Sequence, residues 1–244
     1  MKKSSLLTYE LNNVNPDDKK QFIQKIFNSI VPTYNLLNHL LSFGIDKVWR
    51  RAALRKINNL KSKRVLDICC GTGDISFLLK QKGAKAVSVD FSRQMVLWGI
   101  RNNFISNLSS VADAACLPYK DNSFEAAIIS FGIRNIPDLH YFLKEVRRVL
   151  TPSGRFVILE LVRPKHPLIK LFYRIYLNGF LPLIGKLVSG NKNAYRYLAG
   201  TITTFINPSE LLQLLKSYGF SNIIVETHTL GIAAVINCVN GEGY

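Results

Sequence analysis

The run Val65-Leu66-Asp67-Ile68-Cys69-Cys70-Gly71-Thr72-Gly73-Asp74 joins an apolar strand to a glycine turn that opens a helix. Gly71 and Gly73 let the backbone turn tightly and let a ligand approach main-chain groups, as in dinucleotide-binding loops, although Ser76 stands where their third glycine would be. By itself such a turn is also an ordinary strand-to-helix connection. Asp90 adds weight, because it closes the next strand nineteen residues beyond Gly71, where a carboxylate can accept both hydroxyls of a ribose. A charged hydrogen bond of that kind contributes about 1.5–3 kcal/mol. Ala112-Asp113-Ala114 follows a third strand and offers an acid for an exocyclic amine and backbone for a ring edge; a solvated turn aspartate reads equally well there. Together Asp67, Gly71, Gly73, Asp90 and Asp113 fall at the carboxyl ends of three successive strands, where open α/β sheets bind ligands. A nucleoside is the ligand class they predict.

These residues need a sheet to hold them, and the hydropathy pattern supplies one. Residues 18–60 read as a helical lead, with Phe22, Ile26, Phe27 and Ile30, then Leu36, Leu37, Leu40 and Leu41, at spacings of three and four. From 64 to 162 short β-branched runs alternate with helical segments. Strands are expected at 64–69, 86–90, 108–112, 125–131 and 155–162, and helices at 73–81, 92–103 (capped by Ser92) and 138–150, the last ended by a turn at Thr151-Pro152-Ser153-Gly154. Residues 163–206 break the alternation as an apolar, aromatic helical insertion. A closing helix at 208–218, stopped by Gly219, and strands at 223–227 and 232–239 complete a terminal antiparallel hairpin. The fold class predicted is α/β, a Rossmann-like, mostly parallel sheet with an antiparallel C-terminal strand, in one domain of 244 residues.

Composition narrows the partners. Thirty-two basic against 16 acidic residues give +16, which favours phosphate-bearing surfaces, nucleic acid or anionic membrane alike. The segment Leu161 to Ser209 has no acid but carries Arg163, Lys165, Lys170, Arg174, Lys186, Lys192 and Arg196. Lys170 and Arg174 interrupt its apolar run, and Pro182 and Gly185 would break a spanning helix, so an amphipathic cover is expected rather than a membrane span. Polar residues after Lys2 and Lys3 give no secretory signal, and the chain is expected in the cytoplasm. His39, His140, His166 and His228 are scattered, and Cys69, Cys70, Cys116 and Cys238 match neither zinc nor disulfide spacing. No metal site is expected.

Four segments carry a closer resemblance. Tyr34-Asn35-Leu36-Leu37-Asn38 runs on to Leu41-Ser42-Phe43-Gly44-Ile45 and Trp49-Arg50; Gly71-Thr72-Gly73-Asp74 is the second. Ala112-Asp113-Ala114 continues through Leu117-Pro118-Tyr119 and Asp121-Asn122-Ser123-Phe124 to Ser130-Phe131-Gly132-Ile133-Arg134-Asn135. Tyr195-Arg196-Tyr197-Leu198-Ala199 and Gly231-Ile232-Ala233 are the fourth. In this order they resemble the UbiE/MenG family of demethylquinone C-methyltransferases, class I enzymes that use S-adenosylmethionine. The chain departs from the family at Cys69 and Cys70, where Gly or Ala is frequent, and at Phe205-Ile206-Asn207-Pro208, where some members carry a His-Pro pair.

The resemblance implies S-adenosylmethionine held by Asp67, Gly71, Thr72, Gly73, Asp90, Asp113, Ala114 and Ser130. It further implies methylation of a ring carbon on a reduced polyprenyl demethylquinol, with a naphthoquinol of menaquinone biosynthesis favoured over a ubiquinone precursor. A ring carbon becomes nucleophilic when a neighbouring phenol loses its proton. Arg134 is therefore expected to stabilise the phenolate and Asn135 to orient the ring, Arg134 as a structural cation being the competing reading. Tyr34 and Tyr195 wall or bond the ring, or are simply packed aromatics. An RNA or protein methyltransferase and a catalytically silent assembly factor are the rival classes. No nucleic-acid partner is expected, since Ser130-Phe131-Gly132-Ile133 stands where exocyclic-amine RNA methyltransferases place a Pro-Pro-Tyr type motif. Peripheral contact at the inner face of the cell membrane is expected, with oligomeric state open.

Overall fold

The computed structural model describes residues 16–180, 183, 197, 199–202 and 208–241. The sequence readings at Lys186, Lys192, Tyr195, Arg196, Leu198 and 205–207 lie outside these residues. The lead forms helices α1 (Pro16–Ile30), α2 (Tyr34–Leu41) and α3 (Asp46–Leu54). There follow β1 (Arg64–Ile68), α4 (Asp74–Gln81), β2 (Lys85–Asp90), α5 (Arg93–Arg101), β3 (Ser109–Val111), β4 (Phe124–Ser130), α6 (Leu139–Val149) and β5 (Leu150–Leu161). After α7 (Pro167–Ile175) and α8 (Pro208–Ser217) the chain closes with β6 (Phe220–His228) and β7 (Ala233–Asn240).

The seven strands form one sheet in the order β3-β2-β1-β4-β5-β7-β6, with β3 through β5 parallel and β7 antiparallel to both its neighbours. The chain runs outward from β1 to β3 and then crosses back to β4 on the other side of β1. The carboxyl ends of β1 and β4 therefore flank the reversal of strand order, the place where open sheets leave a ligand crevice.

Strands buried on both faces alternate their side chains between two cores. Leu66 and Ile68, Ala127 and Ile129, and Phe156 and Ile158 pack against α6 and α8 through Phe142, Val146, Leu211 and Leu215. Val65, Ala126, Ile128, Val157 and Leu159 meet Trp49, Ala53, Ile75 and Leu79 of α3 and α4 on the opposite face. A third cluster, Ile23, Ile26, Ile30, Leu37 and Leu41 with Leu177, Tyr197 and Ile202, joins the helical lead to the insertion and covers the carboxyl edge.

Local signals place the element ends. The Ser92 hydroxyl accepts from the Met95 amide, as a cap should, and Asp138 caps α6 through the His140 and Tyr141 amides. Gly219, at φ +77°, stops α8. The turn expected at 151–154 to separate α6 from β5 falls inside the strand instead. Leu150 pairs with Phe124 and Arg155 with Ala126, so four residues of β5 bulge opposite Glu125 alone. The expected α-helical run from Pro167 also changes character, passing into one π-helical turn at Tyr176–Phe180.

Candidate active site

The glycine turn is shaped by its own backbone. Gly71 and Gly73 have φ of +55° and +97°, and a Cβ on Gly73 would stand 2.4 Å from Ile105 Cγ1. Gly73 is thus required by both conformation and the close approach of Phe104 and Ile105, in the segment that follows α5. The Gly71 amide donates to Asp90 Oδ2 at 2.9 Å, and the Ser92 amide donates to Asp90 Oδ1 at 2.8 Å. Each carboxylate oxygen accepts two hydrogen bonds, so one site on each stays available. Burial lifts the Asp90 carboxyl to about 6.

A cavity of ≈ 270 Å³ opens over this edge, lined by Asp90, Asp113, Ala114, Cys69, Phe91 and Asn135, with Lys20 and Gln24 of α1 across it. Lys20 Nζ pairs with Asp113 Oδ2 at 2.6 Å, and the Ala115 amide donates to Asp113 Oδ1 at 2.9 Å. Burial works to raise the Asp113 carboxyl, but these bonds outweigh it and leave the group below its ordinary value. Gln24 donates to the Phe91 carbonyl at 3.0 Å, so α1 is tied across the cavity at both the β2 and β3 ends.

A second, larger cavity of ≈ 320 Å³ is walled by Trp49, Phe131, Leu161, Phe172, Tyr173 and Tyr176, and Arg50 and Arg134 are two of its few charged residues. Arg134 Nη1 forms a short ion pair with Glu160 at the end of β5. Glu160 is pushed up by burial, which the attraction of Arg134 only partly offsets. Arg50 is committed elsewhere: Nη1 donates to Ser130 Oγ at 3.1 Å, and Nε and Nη2 pair with Asp46 and Asp74 at 3.4 and 3.2 Å. Its guanidinium lies 5.1 Å from the Phe131 ring centroid.

Between the two lies a neck of ≈ 40 Å³ lined by Gly71, Asp90, Ser130, Gly132 and Asn135 together with Tyr34 and Phe131. Tyr34 and Phe131 also line the large cavity, while Asp90 and Asn135 also line the cavity under α1. The three spaces therefore share walls in sequence: a chamber edged by Asp90, Asp113 and Lys20 meets, at a narrow waist, an apolar one.

The structure gathers most of the expected site and redistributes the rest. Gly71, Asp90, Asp113, Ala114, Ser130, Arg134 and Asn135 line these spaces. Asn135 sits at the waist and in the chamber under α1 rather than in the apolar one, with its Oδ1 accepting from Tyr197 at 3.1 Å. Asp67, Thr72 and Gly73, all expected at the cofactor, line none of the three cavities. Asp67 accepts from Ser76 Oγ at 2.5 Å within the α4 face of the sheet and is raised to about 7 by burial. Thr72 is buried and donates to Asn35. Both stiffen the turn from behind.

His39, scattered from the other histidines in sequence and expected in no cluster with acids, meets two acids in the fold. Its Nδ1 lies 2.8 Å from Asp46 Oδ2, and Asp74 completes a group whose ligating atoms lie within 4.8 Å. Residue 74 is distant in sequence from 39 and 46, and only the packing of α2 and α3 on the start of α4 unites the three. Arg50 already pairs with both carboxylates, so the group is an ion-paired strut between these helices. Glu160, the lone acid of the run Phe156-Val157-Ile158-Leu159-Glu160-Leu161, was missed as a site residue. An acid ending an apolar strand was the available signal.

The chain is 41% identical over 215 residues to a demethylmenaquinone methyltransferase of Thermus thermophilus, covering 86% of this chain and 97% of that one. It is 35% identical over 238 residues to a ubiquinone/menaquinone biosynthesis C-methyltransferase UbiE of Rickettsia bellii, covering 93% and 96%. Among solved structures, a SAM-dependent methyltransferase of Thermotoga maritima superposes with a TM-score of 0.64 at 22% identity, over 88% of this chain and 99% of that one, and so shares the fold. The model of the ubiE/COQ5 methyltransferase family matches residues 15–240, almost the whole length over which turn, waist and apolar chamber are built, and the chain belongs to that family.

Proposed function

We propose that the protein methylates a ring carbon of a reduced demethylmenaquinone, using S-adenosylmethionine, to complete a menaquinol. The observation that carries this reading is the waist, because methyl transfer needs a cofactor chamber, here the one edged by Asp90 and Asp113, and an apolar acceptor chamber that meet at one point. The residues fit the cofactor: Asp90 keeps an accepting site on each oxygen beside the left-handed Gly71, and Asp113 and Ala114 stand at the far end of the same cavity. S-adenosylmethionine supplies an electrophilic methyl group when bound. Asp90 holds the ribose, Asp113 and Ala114 the adenine edge, and Ser130, Gly71 and Asn135 line the passage of the methyl group. Asp67 and Thr72 act through the turn, not on the ligand.

In the apolar chamber, Arg134 faces the acceptor ring while Glu160 holds the guanidinium in place. A fixed cation in an apolar enclosure stabilises a phenolate strongly, because little water screens it. With the hydroxyl proton released to solvent, the charge delocalises onto the ring carbon that takes the methyl group, and that carbon then loses its own proton to solvent and restores the aromatic ring. Tyr34 and Phe131 present that ring to the waist, and aromatic walls exclude water.

The chamber suits a flat bicyclic ring, and its exposed mouth leaves room for a polyprenyl tail. A tail of that kind stays in the bilayer, so the protein meets the membrane peripherally; among the described residues no helix is long and apolar enough to cross one. Incubating purified protein with S-adenosylmethionine and a reduced demethylmenaquinone tests the reading, with a benzoquinol ubiquinone precursor and an RNA pool in parallel. Methylated naphthoquinol, identified by mass spectrometry, is the expected product. Methylation of RNA alone would refute the reading, and equal turnover of the benzoquinol would widen the substrate class.

A further inference from the structure

The surface around the mouth of the apolar chamber is itself apolar, and three unrelated segments build it. Phe43, between α2 and α3, is 74% exposed yet lines the chamber; Phe172 of α7 is 68% exposed and does the same. Leu230 is 74% exposed beside Thr229, a lining residue that accepts from Trp49 Nε1 at 2.9 Å. The Tyr176 hydroxyl donates to the Leu41 carbonyl, so the ends of α2 and α7 adjoin.

Each segment extends its lining residue outward as an exposed stripe. Leu36 and Leu40 stand one turn apart on α2, and Val48 follows on α3. On α7, Leu168, Leu171, Phe172 and Ile175 are exposed at spacings of three and four, while Ile169, Tyr173 and Tyr176 turn to the chamber. Soluble surfaces rarely gather so many large apolar side chains without a partner.

Charge identifies the partner. Between Lys19 and Leu66 the only acid is Asp46, which is buried, and Leu161 to Ser209 contains none. The exposed cations beside the stripes, Lys47 and Arg51 on α3 and Lys170 on α7, therefore face outward without competing surface carboxylates on these helices. We propose that this rim is a bilayer port: Leu36, Leu40, Phe43, Val48, Leu168, Phe172, Ile175 and Leu230 enter the headgroup boundary of an anionic membrane around the chamber mouth. The port rests on the proposed function in one respect, the prenyl tail that passes through it. It lets the tail remain among acyl chains while the ring reaches the waist, so substrate never crosses water. A second copy of the chain is the competing occupant, and the uniform positive charge of the rim opposes its self-association.

The test uses the intact protein and sedimentation with vesicles of phosphatidylcholine containing one quarter phosphatidylglycerol. Leu36→Ser with Leu40→Ser, and separately Leu168→Ser with Ile175→Ser, change exposed side chains that do not line the chamber. Each pair is expected to weaken vesicle binding about tenfold, since each removes two apolar side chains from the membrane contact. Lys47→Glu with Arg51→Glu should weaken it only at low salt and only with the anionic lipid. Long-tailed quinol turnover falls with binding, and a tail-free naphthoquinol is turned over unchanged. Undiminished vesicle binding in both leucine pairs overturns the port, as does a dimer that those pairs dissolve. Vesicle binding by a protein that methylates no quinol would instead leave the port standing and refute the proposed function.

Discussion

Arg134 and Glu160 form an ion pair at the floor of the apolar chamber with side-chain exposures of only 6% and 2%, and the Arg134 amide also donates to Glu160 Oε2 at 3.4 Å. The carboxylate neutralises a buried cation and fixes its plane toward the chamber. Glu160→Ala should therefore cost about 3–5 kcal/mol by stranding the guanidinium, and Glu160→Gln, which keeps an acceptor, less. Chemical denaturation of the two variants measures the difference. Variants as stable as the parent protein would show that the pair contributes nothing to the fold.

Arg134→Lys keeps the charge and loses the planar donor fork. Turnover should fall roughly 100-fold or more, the scale on which one stabilising donor for a developing oxyanion acts, while calorimetry finds S-adenosylmethionine affinity unchanged. Preserved turnover would remove the phenolate role.

Asp90→Ala affects more than the ligand. Two backbone donors, the Gly71 and Ser92 amides, lose their acceptor, and each donor left buried without one costs about 1–3 kcal/mol. Loss of cofactor binding by calorimetry should thus be accompanied by a lower melting temperature, with Asp90→Asn intermediate in both. A variant that binds cofactor normally would place the ribose elsewhere.

Gly73→Ala combines a left-handed φ of +97° with a Cβ placed 2.4 Å from Ile105 Cγ1. Backbone strain alone costs about 1–2 kcal/mol, and displacement of Ile105 adds to it. Gly179→Ala, with open space around its Cβ and no positive φ, is the control and should be nearly silent. Circular dichroism melts of both variants provide the comparison.

Stability should also respond to pH through Asp67 and Asp90. Burial raises their folded values to about 7 and about 6, above the ordinary carboxylate value of about 3.9. The folded state therefore binds these protons more tightly, and the stability they contribute is present below about pH 4 and lost as pH rises through 6 and 7. Asp46, Asp113 and Glu145 are lowered and act oppositely, in the more acidic range below that window. Asp67→Asn retains an acceptor for Ser76 and removes one titration, so its urea midpoint should vary less between pH 5 and pH 8 than that of the parent protein. An identical slope would show that Asp67 does not titrate there.

The alternation of strands and helices, the glycine turn, Asp90 and Asp113 were all legible in the amino-acid sequence, because strand periodicity, positive-φ turns and strand-end acids are properties of neighbouring residues. The Phe131-Gly132-Ile133-Arg134-Asn135 run was legible for the same reason, although its two polar residues line different chambers. The direction of Asp67 was not legible. Both faces of β1 are covered by helices, so its alternation could not tell which face meets a ligand. Nor could spacing reveal that Glu160 meets Arg134 across β4 and β5, or that His39, Asp46 and Asp74 converge on Arg50. Those pairings depend on strand order and on where α2 and α3 dock. The apolar repeat of α7 likewise announced a helix with an apolar face. Only the packed structure decided that the face would divide between the chamber and the outside, because a helix whose hydrophobic arc exceeds the groove beneath it must leave the remainder exposed.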